Sequence, residues 1–119
     1  EPVLTGDEIL RLRELIRSVP VSRAVLRCAL QLTRLSRESE VEEVGKYLSW
    51  GAGPRAGQYL LLAAKARTVM MGRATPEIRD IKSVAHPVLR HRLVPNFHAE
   101  ADGVTTDELI DRLLETASK

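Results

Sequence analysis

Aromatic side chains make up only 3% of this 119-residue chain, and Cys28 is its one cysteine. A core short of Phe, Trp and Tyr must be filled by Leu, Val, Ile and Ala, which suits packed helices better than a β-sandwich. A lone cysteine excludes an internal disulfide and points to a reducing, cytoplasmic setting. No apolar run approaches the roughly 18 residues of a membrane span, and the start carries no signal-peptide pattern. Also missing are G-x-x-x-x-G-K-[ST], H-E-x-x-H, C-x-x-C and G-x-S-x-G. These absences speak against a P-loop, a zinc centre and a hydrolase elbow within these residues. His86 and His91 flank Pro87 at a spacing that does not put two ligands on one helical face, so no metal site is expected.

Charge of either sign is never concentrated. Eighteen Lys and Arg against sixteen Asp and Glu leave a formal net charge of +2, with no basic stripe interleaved with aromatics, so nucleic acid is not an expected partner. The carboxylates, such as Asp7, Glu42, Glu43 and Asp107, fall at capping positions and on solvated faces. No acid and base are paired in an apolar setting, and an enzyme complete within this chain is not expected.

What is present is a succession of helix signals. Thr5-Gly6-Asp7-Glu8 is a capping box, with Leu4 and Ile9 placed as a hydrophobic staple. The helix that follows points Leu12, Leu15, Ile16 and Val19 inward and stops before Pro20. Ser22 caps a second helix with Val25, Leu26, Ala29, Leu30 and Thr33 at helical spacing, losing its pattern around 36–40. Val41, Val44, Leu48 and Trp50 read as inward-facing, on a short helix and then a turn or brief strand at 46–50. A short helix spans 76–85, Pro87 opens another piece, and 93–102 reads as an extended connection. Thr105 and Glu108 form a second capping box before a helix that buries Leu109, Ile110, Leu113 and Leu114. The expected fold is mostly α: one compact helical bundle over 1–119, with short extended segments near 46–50 and 93–98.

Gly51-Ala52-Gly53-Pro54-Arg55-Ala56 organises the rest. Proline suits the first helical position, so Gly53 is the expected N-cap and Arg55 the second residue of a long helix ending near Gly72. An arginine in a first turn opposes the helix macrodipole unless an anion lies in front of that helix end. The alternative is that Arg55 only lies on a solvated surface.

Taken in order, Gly51 to Ala56, Leu61 to Arg67, Gly72-Arg73, Asp80-Ile81 and Val88 to Leu93 resemble the C-terminal lid of MoxR-type AAA+ ATPases. The resemblance covers nearly the whole chain, and it implies an AAA+ lid fold with Arg55 at the sensor-2 position. Gly51, Gly53 and Pro54 would then lie near the nucleotide. It implies ATP and magnesium in the parent protein, with a P-loop domain in the same chain. It further implies neighbouring subunits in a hexameric ring, a chaperone-like role, and von Willebrand factor A-type clients. A start at Glu1-Pro2 rather than Met fits a fragment of such a protein, inert alone and binding no cofactor tightly. Two positions depart from the family: Gly53 stands where Ser is usual, and Thr75-Pro76 where a Tyr-Val pair is common. A free-standing helical adaptor, or a transcription-regulator-like module with a helix-turn-helix around Pro87, is the competing reading.

Overall fold

The structure, a computed structural model, describes residues 1–38 and 41–117. Its helices are α1 (Gly6–Ser18), α2 (Arg23–Glu38), α3 (Glu42–Tyr47), α4 (Pro54–Met70), α5 (Ile78–Leu89), α6 (Phe97–Ala101) and α7 (Thr106–Ala117). Two short strands, β1 (Leu48–Trp50) and β2 (Val94–Pro95), pair antiparallel with a register irregularity, Leu48 opposite Pro95 and Trp50 opposite Val94. The domain is a slab of 47 × 35 × 20 Å, about two helix diameters thick.

The core joins α2, α4, α5 and α7, with Val44 of α3 closing one side. As the composition requires, its largest fully buried apolar side chains are aliphatic: Leu32, Leu60, Ile81, Leu89, Leu109, Ile110 and Leu113. α4 is central, packing against α1, α2 and α5. It buries Ala56, Gly57, Leu60, Ala64 and Thr68, a mostly small-residue face that lets neighbouring helices come close. It ends in a Schellman turn: Gly72 takes φ 70°, with Arg73 N–H donating to Thr68 O at 3.0 Å.

The helix starts follow the capping chemistry. Thr5 and Glu8 exchange side-chain-to-backbone bonds of 2.7 and 3.2 Å, and Thr105 and Glu108 do so at 3.0 and 3.2 Å. Ser22 Oγ accepts from Val25 N–H at 3.3 Å.

Six expectations are corrected. Leu12 and Leu15 of α1 are exposed, as are Leu4 and Ile9; only Ile16 and Val19 turn toward the body. α1 rests mainly on α4, with Lys65 Nζ donating to Arg17 O at 3.1 Å, so most of its apolar surface has no neighbour. On α2, Leu26 and Leu30 face outward while Cys28, Leu32 and Leu35 fill the core, because the covered stripe lies one residue row away. α2 also continues through Ser36 to Glu38, beyond where its pattern fades, and residues 39–40 lie outside those described.

Pro87 does not divide two helices. α5 runs through it to Leu89, because Ile81, Ala85 and Leu89 are fully buried on one face and Arg90 N–H closes the last turn on His86 O at 2.9 Å. The carbonyl that Pro87 cannot serve belongs to exposed Ser83, where water can reach it. No helix-turn-helix forms there.

The 93–102 connection is extended only at β2. Asn96 then caps α6, its side chain accepting from Ala99 N–H at 3.1 Å, and Gly103 at φ 68° ends that helix. Finally Trp50, expected inward, is 73% exposed at the end of the ribbon. The Thr75-Pro76 connection is well anchored: Thr75 Oγ1 donates to Pro20 O at 3.1 Å, and Pro76 is buried.

Candidate phosphate-facing loop at the start of α4

The loop from Gly51 to Arg55 is held from behind by the end of α2. A Cβ at Gly51 would stand 2.5 Å from the Ser36 carbonyl carbon and 2.9 Å from the Arg37 Cα, so only glycine lets the two backbones approach this closely. Ala52 is fully buried, and its N–H donates to Ser36 Oγ at 2.9 Å. The same hydroxyl donates to Thr33 O at 2.7 Å, which leaves Ser36 satisfied and the loop pinned.

Beyond this anchor the chain turns to solvent. Gly53 is the N-cap (φ −80°, ψ 175°) with no side chain to cap the helix, and Pro54 occupies the first turn. Ala56 N–H donates to Gly53 O at 3.0 Å. Gly53, Pro54 and Arg55 are all exposed, and the first turn contains no acidic residue. The Arg55 side chain makes no hydrogen bond or ion pair among the described residues. Among the described residues, the helix end therefore presents uncapped amide character and an unpaired guanidinium together, with no carboxylate beside them. That combination suits the oxygens of a phosphate.

The other motif residues of α4 and α5 form a separate unit that sequence reading had not joined. Asp80 is fully buried and accepts from both terminal nitrogens of Arg73, at 2.8 Å from Nη1 to Oδ2 and in close contact from Nη2 to Oδ1. Glu77 N–H donates to Asp80 Oδ2 at 2.7 Å, and Arg67 Nε lies 3.4 Å from Oδ1. The hydrogen bonds from Arg73, with help from the Glu77 amide and Arg67, hold the Asp80 carboxyl at about 2, well below its ordinary 3.8. This network ties the end of α4 to the start of α5; it fixes the lever that carries Arg55 rather than facing a ligand. The signal was a buried acid seven residues after an arginine, legible only once α5 is known to start at Ile78.

The histidines serve contacts between elements. His86 Nε2 lies 2.8 Å from Asp111 Oδ1, joining α5 to α7 beside the Arg90–Asp107 pair at 2.8 Å. Arg92 Nη1 donates to His91 Nε2 at 2.7 Å. Cys28 is buried, and desolvation pushes its thiol up, so it is kept protonated. Among the described residues no helix is long and apolar enough to cross a membrane.

Comparison with known proteins agrees with this architecture. A family model described as the AAA lid domain matches residues 40–113. Chaperone MoxR1 of Mycobacterium tuberculosis (strain ATCC 25618 / H37Rv) is 29% identical over 119 residues, 98% of this chain and 32% of that protein. A crystal structure of "a putative ATPase" from Cytophaga hutchinsonii ATCC 33406 superposes with a TM-score of 0.89 at 30% identity, covering 97% of this chain and 36% of the other. The chain thus spans about a third of the length of both relatives. With its helical slab, its central α4 and these matches, the chain belongs to the AAA lid domain family.

Proposed function

We propose that this domain is the lid of a MoxR-type AAA+ ATPase, closing over ATP held by a P-loop domain of the same protein, with Arg55 as its sensor-2 residue. The observation that carries this reading is Arg55 itself: exposed, unpaired among the described residues, and placed in an acid-free first turn. A guanidinium fork stays charged at any working pH and pairs with two phosphate oxygens at once. Gly51, Gly53 and Pro54 set its reach from the Ser36 anchor and would lie near the nucleotide. Residues 51–55 offer no carboxylate, so the nucleotide's magnesium ion would be held by groups outside this loop.

The Arg67–Arg73–Asp80 network makes α4 and α5 move together, so loss of a phosphate contact at Arg55 would be transmitted as a change in lid angle. The same reading includes a cytoplasmic, ring-shaped and hexameric assembly with a chaperone-like role. Von Willebrand factor A-type proteins would be its clients. The chaperone-like role rests on the likeness to Chaperone MoxR1; the ring, its clients and the cytoplasmic setting rest on the family resemblance and the lone Cys28. The test is the ATP-to-ADP affinity ratio of the intact protein. Arg55→Ala should remove a preference for ATP, and a ratio unchanged by that substitution would contradict the sensing role.

A further inference from the structure

An apolar groove of about 420 Å³ runs between α1, α4 and the end of α5. Its floor is formed by Ile16, Leu62, Ala63 and Val88. The rim is basic: Arg13 and Arg17 on one side, His91 and Arg92 on the other, with no carboxylate among the lining residues. This local excess is notable in a chain whose net charge is only +2. Five arginines elsewhere find acids: Arg67 and Arg73 with Asp80, Arg79 with Glu77, Arg90 with Asp107, Arg112 with Glu43. Others, such as Arg11 and Arg55, have no carboxylate partner among the described residues but do not line this groove. Arg13, Arg17 and Arg92 have no carboxylate partner among the described residues. Arg92 is nevertheless held in place, its guanidinium carbon 4.7 Å from the Tyr59 ring centre and its Nη1 on His91, while its buried Nε has no hydrogen-bond partner.

We propose that this groove docks an amphipathic helical segment of a partner protein, its apolar side chains seated between α1 and α4 and flanking acidic residues paired with Arg13, Arg17 and Arg92. The complementarity is specific in both parts. The floor offers no polar group to satisfy, and the rim offers guanidinium groups without a carboxylate partner at its two long edges, the arrangement that selects acids on either side of an apolar stripe. The lining residues of α4, from Tyr59 to Ala66, extend about 10 Å along the helix axis, the length of roughly two turns of a docked helix. A lipid surface fits less well, because the cations edge a trough instead of spreading over a flat basic face.

The groove also shares a helix with Arg55. Residues 55, 59, 62, 63 and 66 recur at helical spacing on α4, so a segment seated there bears on the element that carries the phosphate-facing arginine.

The test uses this 119-residue chain and two fluorescein-labelled 14-residue amphipathic peptides with one leucine face, flanked by glutamates in one and lysines in the other. The glutamate peptide should bind with a Kd in the micromolar range, weakening about tenfold or more in Arg13→Glu/Arg17→Glu and when salt rises from about 50 to 300 mM. Leu62→Gln, at an exposed floor position, should weaken it through the apolar contact, with far-UV circular dichroism unchanged for every variant. No binding at millimolar peptide would overturn the proposal, as would equal binding of both peptides or indifference to charge reversal. Binding only to phosphatidylglycerol vesicles would assign the groove to a membrane surface instead. Self-association that competes with the peptide would assign it to a second copy. No nucleotide is present in this assay, so its outcome is separate from that of the Arg55 tests.

Discussion

Ser36 Oγ accepts the N–H of Ala52 at 2.9 Å while donating to Thr33 O at 2.7 Å, so one buried hydroxyl in α2 sets where α4 begins. Everything in front of that point, including Arg55, is aimed by this bond and by the close passage of Gly51 over the Ser36 backbone.

Gly51→Ala should therefore destabilise the domain although it adds a single methyl group. The new Cβ would meet main-chain atoms of Ser36 and Arg37, which cannot rotate away. A loss of about 1–3 kcal/mol is expected, read as a fall in the urea midpoint. An unchanged midpoint would mean that the loop is free to lift off α2.

Gly53→Ser should do the opposite. The backbone there is extended at φ −80°, and a Cβ would meet nothing within 4 Å. The hydroxyl could cap the free amides of α4, raising stability by roughly a few tenths of a kcal/mol. A lower melting temperature would contradict the N-cap assignment of Gly53.

Acid should loosen the junction of α4 and α5. The Asp80 carboxyl is held at about 2 in the fold against an ordinary 3.8, so the folded state binds fewer protons between these values. The resulting stability, about 2 kcal/mol, is fully present above the unfolded value and is lost as pH falls from about 4 toward 2. Asp80→Asn should flatten that part of the stability–pH curve and destabilise the domain at neutral pH, because Arg73 and Arg67 lose their common partner. A variant with the wild-type pH profile would remove Asp80 from the account.

Much of this fold was legible in the residues because caps are local chemistry. Thr5 with Glu8, Thr105 with Glu108, Ser22, Gly53-Pro54 and Gly72 each mark a helix end through groups within a few positions. What depends on distant partners was not legible. The apolar spacing of α1 is the same whether Leu12 and Leu15 meet this domain or another body, and here they meet neither. The break expected at Pro87 gave way to burial on both sides of it, at Ala85 and Leu89. Pairing of β1 with β2 joins segments more than forty residues apart, and neither has an internal signal for its partner. Pro95 argues against a helix in the 93–102 segment, yet the Asn96 side chain beside it caps α6. In the site, the place of Arg55 in α4 followed from Pro54 alone, whereas the anchoring role of Ser36 appears only when α2 and the loop are seen together.

The most direct test of the central claim is ATP turnover by the intact protein carrying Arg55→Ala or Arg55→Lys, measured beside thermal melts. Losing a charge-assisted contact of about 1.5–3 kcal/mol predicts a fall of roughly 10- to 100-fold for alanine. Lysine keeps the charge but not the fork, so it should fall in between. Melting temperatures should barely move, because the side chain is exposed and makes no contact that the fold needs. Undiminished turnover by Arg55→Ala, or a loss that tracks unfolding, would contradict the assignment of Arg55 to the nucleotide.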